Sequence, residues 1–235
     1  MKVGTDGVLL GCFAANIEGL NHEHVRILDI GTGSGLIALM LAQKNPSAQI
    51  DAIDIDAAAV EQAKENFEAS PWKEHLHAYC SKLQDWKSDL YDLLVCNPPY
   101  FNNSLKNPDE GRQLARHTDS LSYEELIVHS TRLLKPGGEL VVILPADSMD
   151  AMVEVSDKLS LPWIHSRQEH YVLSCYSYGK IITKPGKPAK RAIMFFRMVN
   201  GQELPKVRYT GDVILENENG ERSEDYKLLA KDYYL

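Results

Sequence analysis

Asp29-Ile30-Gly31-Thr32-Gly33-Ser34-Gly35 decides the fold. It follows an apolar run from Val25 to Ile30 and precedes Leu36 to Lys44, whose apolar spacing is helical until Pro46 breaks it. Strand, glycine turn and helix open a β-α-β unit, and Gln49 to Ile55 supplies its second strand. Glycines at Gly31, Gly33 and Gly35 permit a tight turn and let a ligand come close to the backbone. Asp56 is placed to cap a helix over Ala57 to Ala69.

Working outward, His75 to Cys80 and Tyr91 to Cys96 read as strands separated by the polar stretch Ser81 to Leu90. Ser122-Tyr123-Glu124-Glu125 is a capping box that opens a helix running close to Leu134, stopped by Pro136-Gly137-Gly138. Leu140 to Leu144 is the next strand and Ala146 to Leu159 the next helix, with late strands at Tyr171 to Cys175 and Ala192 to Val199. In the tail, Val207 to Leu215 alternates as a strand, Asn217 to Gly220 turns, and Ser223 to Tyr233 reads as a terminal helix. Another helix is expected from Gly7 to Glu18. Strands alternating with helices predict an α/β architecture, a mainly parallel sheet with helices on both faces. One domain is expected over 1–235, with an N-terminal helical segment at 1–24, a core at 25–199 and an appended strand and helix at 200–235.

Composition narrows the function classes. At 235 residues, with 44% hydrophobic and 25% charged content, the chain can bury one full core and is neither fibrous nor disordered. Its longest apolar runs, such as Leu36 to Ala42, are far shorter than the roughly 20 residues of a membrane-spanning helix. Leu9-Leu10-Gly11-Cys12 has the look of a lipoprotein cleavage site, but Lys2 is the only base before it and Asp6 interrupts the segment, so a cytoplasmic protein is expected. Cys12, Cys80, Cys96 and Cys175 include no C-x-x-C pair and predict free, mostly buried thiols. No metal is expected: His22/His24 and His75/His77 flank strands as surface residues. The net charge of −8 argues against broad affinity for nucleic acid, yet Trp163 to Val199 carries seven bases against one acid. Such asymmetry localises a polyanion on one face.

Two places carry chemistry. Leu36 stands where the dinucleotide fingerprint needs its third glycine, so the turn does not fit a pyrophosphate. Asp29 stands at the strand terminus, and Asp54, 23 residues after Gly31, is placed to accept hydrogen bonds from ribose hydroxyls. Asp56 competes for that second role, though it fits a helix N-cap better. The other place is Asn97-Pro98-Pro99-Tyr100, directly after the strand Tyr91 to Cys96. Its prolines stiffen the backbone, so that the Asn97 side-chain oxygen and the Pro98 carbonyl can project together as acceptors. Two acceptors gripping the hydrogens of a conjugated amine can direct its lone pair at an electrophile, and Tyr100 can stack on a planar target.

The acid followed by G-x-G-x-G resembles motif I of class I S-adenosylmethionine-dependent methyltransferases, which implies a seven-stranded Rossmann-like sheet and S-adenosylmethionine as cofactor. The Asn97-Pro98-Pro99-Tyr100 loop resembles motif IV of N-methyltransferases acting on adenine N6 or on a glutamine amide, and does not separate the two. Met1 to Gly11, the glycine turn, that loop and Ser223 to Leu235 together resemble the bacterial tRNA1(Val) adenine-N6-methyltransferases, which modify position 37 beside the anticodon. Family members carry a short aromatic and basic segment ahead of this opening, whereas this chain begins inside it. The resemblance implies catalytic roles for Asn97, Pro98, Pro99 and Tyr100. It implies cofactor contacts from Asp29, Gly31, Gly33, Gly35, Asp54, Ile55, Asp85 and Asn97, with Asp85 toward the adenine amino group. Lys2, Thr5 and Asp6 are either cofactor-side residues or caps of the first helix.

The implied partner is tRNA, bound at its anticodon loop by a protein taken as monomeric. A loop base suits this chemistry because it can be splayed out without opening a duplex. Lys180, Lys184, Lys187, Lys190 and Arg191, with Tyr176 and Tyr178 just ahead, form a stretch suited to phosphates, and Arg112, Arg116 and His117 follow the catalytic loop. A glutamine N5-methyltransferase would carry a helical domain ahead of the glycine turn, where this chain has 28 residues. The remaining alternative, a non-catalytic RNA-binding module, has no use for an intact Asn97 to Tyr100 loop.

Overall fold

The structure is a computed structural model, and it describes residues 4–20, 22–98, 121–164 and 170–233. Eight strands form one sheet: β1 (Arg26–Ile30), β2 (Gln49–Asp54), β3 (Leu76–Cys80), β4 (Tyr91–Cys96), β5 (Leu134–Pro145), β6 (Tyr171–Ile182), β7 (Ala189–Asn200) and β8 (Arg208–Ile214). Their order is β3-β2-β1-β4-β5-β7-β6-β8. The first five are mutually parallel, β7 runs antiparallel to both β5 and β6, and β8 is parallel to β6. From β1 the chain first winds outward through β2 and β3, then crosses back to β4 and β5 on the other side. The crevice outside the carboxyl ends of β1 and β4 is therefore the topological switch point, where open α/β sheets bind their ligands.

Among the described residues the α-helices are α1 (Thr5–Ala14), α2 (Leu36–Lys44), α3 (Ala57–Glu68), α4 (Tyr123–Leu133), α5 (Met149–Ile164) and α6 (Glu224–Ala230). Because strand side chains alternate between faces, β1 sends Ile27 into one core and Leu28 and Ile30 into another. The first core is covered by α1, α2, α3 and α6 through residues such as Leu9, Leu41, Val60 and Tyr226. The second is covered by α4 and α5 through Leu126, Leu133 and Met152. Strands buried on both sides read as continuous apolar runs, and Leu93, Leu94, Val95 and Cys96 of β4 are almost wholly inaccessible. Each such aliphatic side chain contributes about 1.5–3 kcal/mol of burial free energy.

Local signals set several boundaries. Asp56 caps α3, its Oδ1 accepting from the Ala58 N–H at 2.9 Å. Ser122 caps α4 in a complete capping box, with the Glu125 N–H donating to Ser122 Oγ at 3.1 Å and Glu125 Oε2 accepting from the Ser122 N–H at 2.8 Å. Other boundaries differ from the sequence reading. α1 starts at Thr5 and ends at Ala14, with Gly4 at its N-cap and no side-chain cap, so neither Thr5 nor Asp6 caps it. β5 begins at Leu134, because Tyr91 pairs with Leu134 ahead of Pro136-Gly137-Gly138 and the ladder resumes at Glu139 after a bulge. β6 and β7 are twelve residues each, a long hairpin in place of two short strands. The sheet has eight strands rather than seven, since the tail strand β8 joins its edge beside β6.

Three of the four cysteines, Cys12, Cys96 and Cys175, are buried, and none of the four is disulfide-bonded. Among the described residues no helix is long and apolar enough to cross a membrane, and no cluster of three or more His, Cys, Asp or Glu side chains is placed to hold a metal.

Candidate active site

Register places the two chemistry-bearing loops together. Ile30 is the partner of Cys96 across the β1–β4 ladder, so Gly31 and Asn97 leave the sheet from adjacent strands, about 4.8 Å apart. Asn97 is half-buried there and Pro98 is buried. The glycine turn is fastened to the next strand by two hydrogen bonds, the Gly31 and Thr32 N–H groups donating to the Ile53 carbonyl at 2.8 and 3.0 Å. Gly35 is the N-cap of α2 with φ +81°, pressed against Phe67 of α3. Asn66 of the same helix donates from Nδ2 to the Ser34 carbonyl at 2.8 Å. The turn is thus rigid before any ligand arrives.

Asp29 is fully buried at the end of β1. Its Oδ2 accepts from Thr32 Oγ1 at 2.6 Å and from the Ala38 N–H at 3.2 Å. Its Oδ1 has no hydrogen-bond partner among the described residues. Burial pushes the Asp29 carboxyl up to about 6; the Thr32 and Ala38 hydrogen bonds pull the other way, and the nearby Asp54 carboxylate adds to the rise. A buried carboxylate with one unsatisfied oxygen is an incomplete site, and a cationic donor completes it. At Gly31 the backbone has φ +70°, and an added Cβ would meet nothing within 4 Å, leaving an open cradle beside that carboxylate. Both observations fit a ligand carrying positive charge close to the turn. Cys96 lies beside the two carboxylates, and burial with their charges drives its thiol far above the ordinary range, so it serves as packing.

Asp54 also organises the turn. Its Oδ2 accepts from the Gly33 N–H and its Oδ1 from the Asp56 N–H, both at 2.9 Å. Each carboxylate oxygen keeps a second lone pair for a ribose hydroxyl. Asp56 is occupied as a helix cap, and Ile55 between them exposes 54% of its surface at the same sheet edge. Asp85 sits exposed in the turn after β3, its N–H donating to the Lys82 carbonyl at 3.2 Å. Asp6 is engaged elsewhere, accepting from Arg191 Nε at 3.0 Å. Thr5 lies in the first turn of α1. Lys2, Pro99, Tyr100, Arg112, Arg116 and His117 lie outside the described residues. Sequence reading missed two supports of the site: Thr32, three residues beyond Asp29, and Asn66. The first is legible as a hydroxyl beside an acid in a tight turn; the second needs the packing of α3.

The basic stretch divides in two. β7 enters the sheet where β5 leaves it, with Arg191 opposite Pro145, so the β6–β7 turn projects from the same edge as Asn97. Lys184 lies 3.6 Å from Glu216 and Arg191 is paired with Asp6. Lys180, Lys187 and Lys190 have no acidic partner among the described residues. Tyr176 belongs to the opposite edge of the sheet: its hydroxyl donates to Glu139 Oε2 at 2.6 Å, and Arg197 lies 4.4 Å above its ring. Tyr178 stacks at 5.2 Å on Tyr209 of β8.

Residues 5–152 match the family model of the methyltransferase small domain. Among solved structures, the chain superposes on a predicted O-methyltransferase from Agrobacterium tumefaciens with a TM-score of 0.69 at 14% identity, covering 97% of this chain and 96% of that one. It superposes on P. horikoshii TYW2 in complex with MeSAdo with a TM-score of 0.58, also at 14% identity, covering 84% and 64%. At that identity the likeness establishes the Rossmann-like fold. Sequence relatives are far nearer. The tRNA1(Val) (adenine(37)-N6)-methyltransferases of Bacteroides thetaiotaomicron and Aeromonas hydrophila are 41% and 38% identical, each over 100% of this chain and 91% of the relative. With its glycine turn and Asn97 leaving adjacent strands at the switch point of this sheet, the chain belongs to the family of tRNA1(Val) (adenine(37)-N6)-methyltransferases.

Proposed function

We propose that the protein transfers a methyl group from S-adenosylmethionine to the exocyclic N6 of an adenine in the anticodon loop of a tRNA, position 37 of tRNA1(Val), acting as a cytoplasmic monomer. The observation that carries this reading is the pairing of Ile30 with Cys96, which sets the donor turn beside the amine-gripping loop. S-adenosylmethionine supplies a methyl carried on a positively charged sulfur. Asp29 Oδ1 takes a cationic hydrogen-bond donor of that molecule, Gly31 and Gly33 admit it against the backbone, Asp54 accepts from its ribose, and Ile55 and Asp85 face its purine.

Asn97 Oδ1 and the Pro98 carbonyl accept the two N6 hydrogens of the target. That grip pulls the nitrogen out of conjugation with the ring and aims its lone pair along the line of displacement. As the nitrogen gains the methyl it becomes cationic and sheds a proton to solvent, so no strongly basic side chain is required. Lys187 on the β6–β7 turn, with Lys180 of β6 and Lys190 of β7 beside it, holds phosphates of the loop.

Replacing Asn97 by alanine tests the mechanism. Methyl transfer to unmodified tRNA, read by mass spectrometry of the released nucleosides, is expected to fall by about 100-fold or more, the loss typical of removing one preorganised polar group. Calorimetric affinity for S-adenosylmethionine is expected to stay within about twofold of wild type, well under a tenfold change worth about 1.4 kcal/mol. Normal turnover by the variant refutes the grip.

A further inference from the structure

By sequence Arg191 belongs with the lysines of the β6–β7 turn, but its guanidinium is bound within the molecule. Nε donates to Asp6 Oδ2 at 3.0 Å and Nη1 to the Lys190 carbonyl at 3.0 Å, and the Arg191 and Asp6 side chains keep only 26% and 23% of their surface exposed. The two positions are 185 residues apart in the chain. Asp6 lies in the first turn of α1, where the next residue, Gly7, abuts Leu36: a Cβ there would lie 3.4 Å from Leu36 Cδ2. Leu36 directly follows Gly35 of the glycine turn. At the other end, Arg191 faces Pro145 at the carboxyl end of β5 and adjoins Lys190, one of the unpaired lysines. Among the described residues it is the one ion pair that joins α1 to β7. The pair therefore bolts the base of the basic turn to the helix that flanks the donor turn.

We propose that Arg191 is a positioning residue and not a phosphate contact. Through Asp6 it holds the basic turn and the first turn of α1 in one frame, so that tRNA on the lysines and the methyl donor at the glycine turn strengthen each other's binding. This inference rests on the reading that tRNA phosphates occupy the β6–β7 turn. Each ligand immobilises one end of the bolt, and the second ligand then meets an element already ordered. Thermodynamic reciprocity requires the factor by which tRNA tightens donor binding to equal the factor by which donor tightens tRNA binding. The two roles for Arg191 predict opposite signs at Asp6. A phosphate-binding Arg191 is partly neutralised by Asp6, so removing that carboxylate strengthens tRNA binding; a positioning Arg191 loses its anchor, so the same change weakens it.

The experiment compares wild type with D6N, R191Q, R191K and the exchanged pair D6R/R191D. Donor affinity is measured by calorimetry with sinefungin, a donor analogue that has no transferable methyl and so permits no turnover, alone and in the presence of saturating unmodified tRNA, and tRNA affinity by fluorescence anisotropy. Wild type is expected to bind donor about fivefold or more tightly with tRNA present, at the lower end of ordinary coupling. D6N and R191Q are each expected to weaken tRNA binding severalfold and to bring that ratio close to one, while the exchanged pair recovers most of it. R191K, which keeps charge but loses the directional guanidinium, is expected to lie between, and it carries the test if D6N proves unstable by circular dichroism. A direct contact of Asp6 with the donor would instead change donor affinity without tRNA and leave the ratio intact. Tighter tRNA binding by D6N, or an unchanged ratio in D6N and R191K, overturns the proposal. A K180A/K187A/K190A variant separates the two layers: unchanged tRNA affinity in that variant overturns the placement of tRNA and this inference together, whereas a loss there with an intact ratio in D6N overturns this inference alone.

Discussion

Gly31 and Gly35 stand four residues apart in one turn, both in the left-handed region, and alanine at the two positions should fail in different ways. At Gly35, with φ +81°, an alanine Cβ would press on Phe67 Cε1 and lie 2.9 Å from its Cζ and 3.3 Å from Ala63 Cβ. The backbone strain costs about 1–2 kcal/mol and the forced repacking of a tight interior about 1–3 kcal/mol more. For a domain of this size each kcal/mol lowers the thermal midpoint by about 2–4 °C, so Gly35→Ala is expected to melt roughly 10 °C below wild type. At Gly31, with φ +70°, the new Cβ meets nothing within 4 Å, so only the strain of about 1–2 kcal/mol remains. The empty space there is the cradle assigned to the methyl donor. A Cβ inside it is an overpacking of the complex worth about 1–3 kcal/mol, which weakens donor binding by roughly 5- to 150-fold. Differential scanning calorimetry and isothermal titration with S-adenosylmethionine read the two effects separately. Donor binding by Gly31→Ala at wild-type affinity, or a Gly35→Ala protein with an unshifted midpoint, would refute this account of the turn.

Other predictions concern charge and capping. Asp29 has its folded pKa raised to about 6 from 3.8, so its protonated form stabilises the unliganded protein at low pH, and that contribution is lost as the pH rises through about 6. Donor binding needs the ionised form, so its Kd is expected to be flat above about pH 6 and to worsen as much as tenfold per unit below it, a dependence that Asp29→Asn abolishes; calorimetry across pH checks both slopes. Neutralising Lys180, Lys187 and Lys190 together should raise the KM for tRNA and flatten the salt dependence of its binding by about 2–3 in log–log slope, one increment for each phosphate no longer neutralised. Ser122→Ala removes the oxygen that caps α4 and should cost about 1 kcal/mol, visible as a drop of roughly 2–4 °C in the midpoint.

Much of the architecture was legible because its signals are local. Ser122 and Glu125 announce a helix start within four residues, and Asp56 does so within three. The places of the glycine turn and of Asn97 were legible for the same reason: each stands in a compact motif at the end of an apolar strand. What escaped the sequence depends on partners far along the chain. Lys180-Ile181-Ile182 and Ala189-Lys190-Arg191 fall in the lysine-rich stretch between two short strands, and only their pairing with each other extends both strands to twelve residues. Pro136-Gly137-Gly138 reads as a helix stop, but the helix ends at Leu133 and those residues lie within β5, which begins at Leu134 because Tyr91 offers it a partner. Asp6 looked like a helix cap or a cofactor residue, and Arg191 like a phosphate contact. Their common bond spans 185 positions and leaves no trace in either neighbourhood. Tyr176, adjacent to the lysines in sequence, turns to Glu139 because a bulge after Cys175 shifts the register of β6 against β7.

β4 acts as a molecular ruler. Nothing between Leu93 and Cys96 touches a reactant, yet the ladder from Ile27↔Leu93 to Ile30↔Cys96 fixes how far Asn97 stands above the sheet and which way it turns. Since side chains alternate along a strand, deleting or inserting one residue there would rotate the asparagine to the reverse side while leaving the hydrophobic content nearly intact. The preceding connection, Ser81 to Leu90, is pinned at separate points, by Leu83 buried in the second core and by Trp86 Nε1 donating to the Tyr91 hydroxyl at 3.0 Å. The strand therefore tolerates substitution far better than any change of length.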